Sequence, residues 1–373
     1  MSTRLAATVG ALAFAAALSF QPAAAAEPSG KLAFVVRDWF TAMYESRFMD
    51  ECPEGLNIGN DEYWWRGLSK KDRARLTEDG LVQTLNRHNL AVNRGPKGED
   101  VCLVPTLVKD PPLRVVEGKI AYGANLDGTT DGRATAKTCK HTKFTAPDGK
   151  AGIDNQLYRL VGCTYGWRKG GLVDLNANEM RGTSGLGMIL IEITGVDDPR
   201  NDDDVTVTFY RSIDQFALDS AGTPLPFSTY RIETVDGKPR YSDSVKGKIV
   251  NGVVDTGRGD VRLPFYGNYN FINPLIKDFG LKLEIAADGR TATGMVTGYY
   301  DVESFMHYVN GLGVAIVISY FSCNAMYEAA KRLADGYPDP KTGECTMLSS
   351  AFRINAYAAF ALHPGKATRQ AAR

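Results

Sequence analysis

Six cysteines in a chain that begins with an export signal constrain the fold more than any other sequence feature. An even number of cysteines in an exported protein favours a set of disulfides. The chain contains no Cys-x-x-Cys pair, which argues against zinc ribbons, thioredoxin-like sites and c-type haem. Sequence alone leaves the connectivity open, and closeness along the chain favours the pairs Cys52–Cys102, Cys139–Cys163 and Cys323–Cys345.

The export signal occupies residues 1–26. Arg4 supplies the positive charge, Leu5 to Phe20 is an apolar run, and three alanines precede Glu27. This order of features is typical of a cleaved signal peptide, and the apolar run is shorter than the roughly 20 residues of a membrane-spanning helix. We therefore expect a periplasmic or secreted protein without a transmembrane span after cleavage.

The balance of charged residues bears on which classes of partner the protein can bind. The 373-residue chain has 43 Lys plus Arg and 43 Asp plus Glu, so its formal net charge is zero. No basic stripe points to nucleic acid. Aromatic residues make up 10% of the chain, which is enough for a substantial core and for an aromatic binding surface.

Regular turn signals predict an antiparallel β region. Residues 205–210 alternate apolar and polar side chains, the pattern of a half-buried strand. Asn251-Gly252, Asp236-Gly237 and Asp288-Gly289 each lie between candidate strands, and such dipeptides favour tight hairpins. The predicted fold is α+β and mainly β: an antiparallel β-sandwich or partly open barrel with helical N- and C-terminal flanks.

Composition divides the chain into consecutive regions. Helices are expected at Leu81–Leu90, Val314–Ala334 and Thr346–Leu362. The predicted regions are the signal peptide (1–26), a mixed α/β region (27–120), a disulfide-bracketed loop segment (121–170), the antiparallel β domain (186–300), a helical hairpin (301–362) and a disordered tail (363–373).

The loop segment has the residue types of a calcium site. Asp127, Thr129 and Asp131 are spaced two apart and Gly132 follows, which resembles the first half of an EF-hand loop. The second half departs from that motif, because Thr138 stands where a bidentate glutamate is expected. Two ordinary Asp-Gly turns would look the same. The candidate calcium ligands are Asn125, Asp127, Thr129, Asp131, Asp148, Asp154 and Asn155.

Catalytic motifs are scarce. There is no Gly-x-Ser-x-Gly elbow, and none of the four histidines forms a His-x-x-x-His pair. His141 lies inside the loop segment, where it could serve as a base or a ligand. A hydrolase with a site assembled from distant acids, such as a paired-carboxylate glycosidase, remains an alternative; its candidates are Asp127, Asp131 and Asp154.

Aromatic residues among glycines and asparagines suggest a ligand surface. Tyr266, Tyr269 and Phe271 alternate with such residues, and Tyr299 lies further along the chain. Flat aromatic faces of this kind stack against sugars, although packing beneath a loop is the simpler explanation for any one ring.

The sequence thus predicts an exported, disulfide-stabilised and calcium-braced protein without a recognisable catalytic motif. Its expected partner is a ligand such as a carbohydrate, or a protein of the cell envelope. The alternatives are the hydrolase and an accessory subunit of an envelope complex.

Overall fold

The computed structural model describes residues 30–78, 80, 95, 97–267, 270–310 and 320–365. The predicted signal peptide, the predicted helix Leu81–Leu90 and Tyr269 lie outside these residues. No helix within the described ranges has the length and apolar character required to cross a membrane.

Most of the regular structure is β. In chain order the strands are β1 (Lys31–Thr41), β2 (Phe144–Thr145), β3 (Ala151–Ile153), β4 (Ile189–Thr194), β5 (Asp202–Arg211), β6 (Ser228–Arg231), β7 (Thr234–Val235), β8 (Lys238–Pro239), β9 (Ser242–Val250), β10 (Val253–Thr256), β11 (Gly259–Arg262), β12 (Phe265–Gly267), β13 (Asn270–Ile272), β14 (Leu275–Ile285), β15 (Thr291–Asp301), β16 (Gly336–Pro338) and β17 (Cys345–Leu362). The described helices are α1 (Asn60–Gly67), α2 (Lys70–Glu78), α3 (Gln156–Val161), α4 (Leu172–Ser184), α5 (Val302–Asn310) and α6 (Cys323–Leu333), with a 3-10 turn at Tyr165–Trp167.

Eight antiparallel strands form a closed barrel in the order β1-β4-β5-β9-β10-β14-β15-β17. The ring closes where β17 pairs with β1, from Phe34 opposite Ala358 to Thr41 opposite Phe352. Closure leaves these strands without a free edge. The mainly β class is confirmed, and a closed barrel takes the place of the predicted sandwich or partly open barrel.

The local signals for strands and turns are confirmed. Val205, Val207 and Phe209 of β5 are buried. Asn251 and Gly252 join β9 to β10 with φ angles of 51° and 80°, which suits a tight hairpin turn. The other two dipeptides join β7 to β8 and β14 to β15.

The predicted helix Thr346–Leu362 is wrong, because these residues belong to β17. The segment is rich in alanine, which favours helices locally. Here β17 pairs with β1 on one side and with β15 on the other, so its backbone hydrogen bonds are supplied by both neighbours. Tertiary pairing overrides the propensity. Of the predicted helix Val314–Ala334, residues 323–333 form α6 and 314–319 lie outside the described residues.

Three disulfides are present, and none joins the cysteines expected from closeness in sequence. The pairs are Cys52–Cys163, Cys102–Cys323 and Cys139–Cys345, with separations of 111, 221 and 206 residues. Barrel closure brings distant segments together, so the nearest cysteine in space is not the nearest in sequence. Disulfides of this number indicate an oxidising compartment, extracellular or periplasmic.

Helix α4 is attached to the barrel at β1. The Asn178 side chain accepts a hydrogen bond from the Trp39 backbone N–H at 2.8 Å and donates to the Trp39 carbonyl at 3.2 Å. This pair of bonds satisfies backbone groups that β1 does not use in its ladder at that point, and it fixes one turn of α4 against the strand.

Candidate functional site

A buried cluster of ionisable side chains lies beside the barrel, in the predicted loop segment. It contains Asp127, His141, Lys143 and Asp154, and Asp335 approaches it from the turn before β16. The side chains of the three aspartates are fully buried, and those of His141 and Lys143 are 5% exposed. We call these five residues the acidic cluster.

Lys143 is the central cation of the acidic cluster. Its Nζ donates to Asp127 Oδ1 at 2.6 Å and also contacts Asp154 Oδ1. Buried carboxylates are costly unless they are paired and hydrogen-bonded. The ammonium therefore neutralises two carboxylates that would otherwise repel each other.

His141 adds a second positive charge. Its Nδ1 lies 2.8 Å from the Cys139 carbonyl, and its Nε2 lies 2.8 Å from Asp154 Oδ1. Both partners are acceptors, so both ring nitrogens must carry a proton. Burial opposes the charge, but the hydrogen bond to Asp154 and the nearby Asp335 outweigh it and raise the pKa of His141 above its usual value.

Asp127 is held ionised. Burial favours its neutral form, but hydrogen bonds from Lys143 and Thr129 outweigh that effect and lower its pKa. The Thr129 backbone N–H donates to Asp127 Oδ1 at 2.8 Å, so the loop itself supplies part of this stabilisation.

Asp335 behaves differently. Burial raises its pKa to about 6, although His141 and a hydrogen bond from the Ser349 N–H at 2.6 Å oppose the rise. Its Oδ2 has no hydrogen-bond partner among the described residues, and the same holds for the nearby Tyr299 hydroxyl. Burial, reinforced by the charges of Asp335 and the other cluster aspartates, raises the pKa of Tyr299. With a pKa of about 6, Asp335 changes its charge between mildly acidic and neutral pH, and it is mostly ionised at pH 7.

Gly132 positions His141 by close approach. The Gly132 carbonyl accepts from the His141 N–H at 2.9 Å, and its φ is 69°. A Cβ at this position would lie 1.9 Å from the His141 carbonyl oxygen, which no real side chain tolerates. The glycine that resembles the EF-hand turn therefore serves to bring two loop strands together.

The structure brings only part of the predicted calcium ligand set together. Asp127 and Asp154 enter the acidic cluster. Asn125 and Thr129 close the loop around Asp127: Asn125 donates to the Thr129 carbonyl at 2.7 Å and accepts from the Gly128 N–H at 2.7 Å. Asx turns of this kind need no ion.

The remaining predicted ligands are engaged elsewhere. Asp131 accepts from the Arg133 N–H, and Asp148 accepts from the Lys150 N–H in the β2–β3 turn. Asn155 caps α3 by accepting from the Tyr158 N–H at 3.0 Å.

The cluster nevertheless contains a group with metal-ligand potential. Asp127, His141 and Asp154 each offer one ligand atom, and these atoms lie within 4.8 Å of one another. The group could hold a metal ion. Which ion would bind does not follow from the three side chains alone.

A second candidate site is an aromatic cavity at one end of the barrel. Its volume is about 50 Å³, which leaves room for a few water-sized groups. All of the lining side chains except Phe265 are buried. They are Trp39, Thr41, Leu157, Trp167, Ala177, Leu263, Phe265, Pro274, Ile276, Tyr300, Phe305, Tyr308 and Phe352.

The aromatic cavity is built from the ends of barrel strands and the elements that cover them. Tyr300 and Phe352 come from β15 and β17, Ala177 from α4, and Phe305 from α5. Pairs of aromatic rings pack against each other in the cavity walls. The ring centroids of Trp39 and Phe265 lie 5.7 Å apart, and those of Tyr300 and Phe305 lie 6.0 Å apart. Edge-on contacts of this kind stabilise a specific arrangement beyond simple burial.

Of the residues of the predicted aromatic ligand surface, Tyr299 is the one whose side chain the structure describes. Tyr299 is 1% exposed and borders the acidic cluster, so it offers no surface to a sugar. The side chains of Tyr266 and Phe271 lie outside the described residues, as does Tyr269. Phe265, the neighbour of Tyr266, lines the aromatic cavity.

Sequence reasoning missed Lys143 and Asp335 in the acidic cluster. The available signal for Lys143 was its spacing of two residues from His141, within the segment that also contains Asp127 and Asp154. Asp335 carried no signal, because it reaches the cluster through the contact between the Cys139 N–H and its own carbonyl, 2.9 Å apart.

Comparison of the chain with protein-family models, with curated proteins and with solved structures finds no match. The two sites themselves are therefore the basis for assigning a function.

Proposed function

We propose that this protein is exported to the periplasm or the cell exterior and binds a small apolar ligand in the aromatic cavity. The observation that carries the proposal is the concave, aromatic-lined space at the end of a closed, disulfide-braced barrel. Ligand sites are typically concave, mostly apolar and provided with a few polar groups. Thr41 and Tyr308 supply hydroxyl groups among the aromatic rings.

The size of the cavity limits the ligand. A volume of about 50 Å³ accepts a short aliphatic chain rather than a large ring system. Such a chain gains about 0.8 kcal/mol for each buried methylene group. Affinity should therefore rise about fourfold with each added carbon until the cavity is full.

The alternative functions have weaker support. The acids proposed for a hydrolase, Asp127 and Asp154, are fully buried and already paired with Lys143, so no substrate could reach them without displacement of the lysine. Asp131 faces Arg133 in an exposed turn. Among the described residues, no specific contact favours an accessory envelope subunit or a carbohydrate-binding protein.

Intrinsic fluorescence can test the proposed function. Trp39 and Trp167 line the cavity, so linear alcohols from methanol to heptan-1-ol should change their emission in a saturable manner. Binding should tighten up to about three or four carbon atoms, where a cavity of about 50 Å³ is full, and no further. Ala177→Leu should fill the cavity and abolish the response. Leu175→Phe is the matched control, because Leu175 lies on the same helix and is 50% exposed. A response that does not saturate, or that survives in Ala177→Leu, would refute the proposal.

For the loop segment, we propose that the Lys143 ammonium, rather than calcium, supplies the bracing charge. Nζ already contacts both carboxylates that calcium would need. The third member of the group is the His141 nitrogen, whereas calcium takes oxygen ligands. An imidazole with two carboxylates suits zinc or manganese better, and such an ion would have to displace Nζ.

Thermal unfolding distinguishes bracing by the Lys143 ammonium from bracing by a bound calcium ion. Neither a chelator nor millimolar calcium should move the melting temperature of the wild-type protein. A rise of several degrees with calcium, reversed by chelator and absent in Asp127→Asn, would establish a calcium site and overturn the lysine proposal. The same rise with zinc would identify the ion that the donor set favours.

A further inference from the structure

A polar cleft lies between the loop segment and the wall of the barrel. Its volume is about 260 Å³, which corresponds to roughly nine water-sized groups. One side comes from the loop segment and the other from strands β10, β14 and β15 with the turn after β10. We call this space, between Asp148 and Lys150 on one side and Arg258 and Met295 on the other, the loop–barrel cleft. Its described lining residues include none that line the aromatic cavity.

One edge of the Arg258 guanidinium is fixed against the barrel. Its Nη1 donates to the Asp278 carbonyl at 3.1 Å and to Thr297 Oγ1 at 3.0 Å. Gly280 makes room for the group, because a Cβ at that position would lie 2.6 Å from Nη1. Nε and Nη2 have no hydrogen-bond partner among the described residues. A lining arginine that is held by one nitrogen is oriented in advance for a ligand that accepts hydrogen bonds from the others.

The loop–barrel cleft also contains opposite charges that do not neutralise each other. Arg258 and Asp148 face it from opposite sides, and within the described ranges neither forms an ion pair. Asp148 Oδ1 accepts only the backbone N–H of Lys150, at 3.1 Å, and the Lys150 side chain is exposed. The other carboxylate of the cleft is already paired, since Asp255 Oδ2 lies 3.4 Å from Lys282 Nζ. An unpaired cation and an unpaired anion across one space match a ligand that carries both charges.

We infer that the loop–barrel cleft binds the zwitterion of a small amino acid with an apolar side chain. Its carboxylate accepts hydrogen bonds from the Arg258 guanidinium, whose planar fork matches that group. Its ammonium donates to the Asp148 carboxylate. The apolar side chain lies against Ala124, Ala146 and Met295, which are partly exposed in the cleft. A ligand of the size of leucine fits a space of roughly nine water-sized groups.

The test compares matched ligands on the intact wild-type protein by isothermal titration calorimetry at neutral pH. Leucine carries both charges, 4-methylpentanoate lacks the ammonium, and 3-methylbutan-1-amine lacks the carboxylate. The dissociation constant of leucine should be at least about 10-fold lower than that of either analogue, because each analogue leaves one charge of the cleft without its partner.

Variants locate the recognition of each charge. Arg258→Gln should remove the advantage of leucine over the amine, and Asp148→Asn should remove its advantage over 4-methylpentanoate. Arg262→Gln is the control for the arginine, because Arg262 is exposed on the neighbouring strand β11. Asp288→Asn is the control for the aspartate, because Asp288 accepts from the N–H two residues further on at 3.0 Å, as Asp148 does, but in the β14–β15 turn. Both controls should bind leucine as the wild type does.

The results distinguish this inference from the proposed function. Leucine that binds no tighter than one of its analogues, or that gives no binding heat, overturns the amino-acid site. An advantage of leucine that survives in both Arg258→Gln and Asp148→Asn also overturns it. Occupation of the aromatic cavity is read separately from the alcohol titration, so either site can fail while the other stands. If a variant does not fold, the wild-type ratios of the dissociation constants still decide.

Discussion

Replacement of Lys143 tests whether an internal cation holds the acidic cluster together. Lys143→Met keeps most of the side-chain volume and removes the ammonium that contacts Asp127 and Asp154. Both carboxylates are fully buried, so solvent cannot replace the lost partner. Removing one partner of a buried ion pair costs about 3–5 kcal/mol, and we expect a loss in this range at pH 7.

Equilibrium unfolding in urea, with the disulfides intact and followed by circular dichroism, measures the effect. Lys150→Met is the matched control, because Lys150 lies exposed in the same segment and should change the free energy of unfolding by less than about 0.5 kcal/mol. The double variant Asp127→Asn with Lys143→Met removes one charge of each sign and should recover about 1 kcal/mol or more of the loss. A loss of less than about 1 kcal/mol for Lys143→Met would refute the role assigned to this lysine.

Three further predictions concern the same region and the barrel. Because the pKa of Asp335 is raised to about 6, its stabilising contribution is complete below pH 3.8 and is lost as the pH rises through 6; the shift corresponds to about 3 kcal/mol. Asp335→Asn should flatten the pH dependence of urea stability between pH 4 and pH 7, and an unchanged profile would contradict the assignment. Gly132→Ala should cost about 3 kcal/mol, because the new Cβ meets the His141 carbonyl and φ is positive, whereas Gly128→Ala, with positive φ and open space, should cost about 1 kcal/mol in the same assay. Asn178→Ala should cost about 2 kcal/mol by leaving the Trp39 backbone groups without their partner and Arg181 Nη1 with the Arg37 carbonyl at 3.4 Å alone, and a loss below about 0.5 kcal/mol would refute this role of Asn178.

The parts of the fold that follow from local rules were predictable. Asn251-Gly252 forms a tight turn wherever strands flank it, because both residues reach positive φ at low cost. The alternation at Val205, Val207 and Phe209 likewise marks a half-buried strand without reference to the rest of the chain.

The parts that depend on distant segments were not predictable. The alanine-rich sequence of β17 favours a helix locally, and its strand conformation depends on pairing with β1 and β15. The disulfides depend on the same closure, since Cys139 and Cys345 meet only when the end of the barrel returns to the loop segment.

The acidic cluster was half predictable. Asp127 lies among glycines in a hydrogen-bonded loop, and Asp154, named with it as a candidate calcium ligand, reaches the same cluster. Lys143 was not predicted, because only the folded loop brings its Nζ within 2.6 Å of Asp127. The aromatic cavity gave no sequence signal, because its walls come from eight separate strands and helices as well as connecting turns.

The central claim, that the end of the barrel encloses a ligand site, is tested most directly by diffraction from crystals held under xenon pressure. Small apolar cavities bind xenon because it gains dispersion contacts without needing hydrogen bonds. We expect a xenon atom among Trp39, Phe305 and Phe352 in the wild-type protein and its absence in Ala177→Leu. Crystals in which this space takes up no xenon, while the chain is otherwise unchanged, would contradict it.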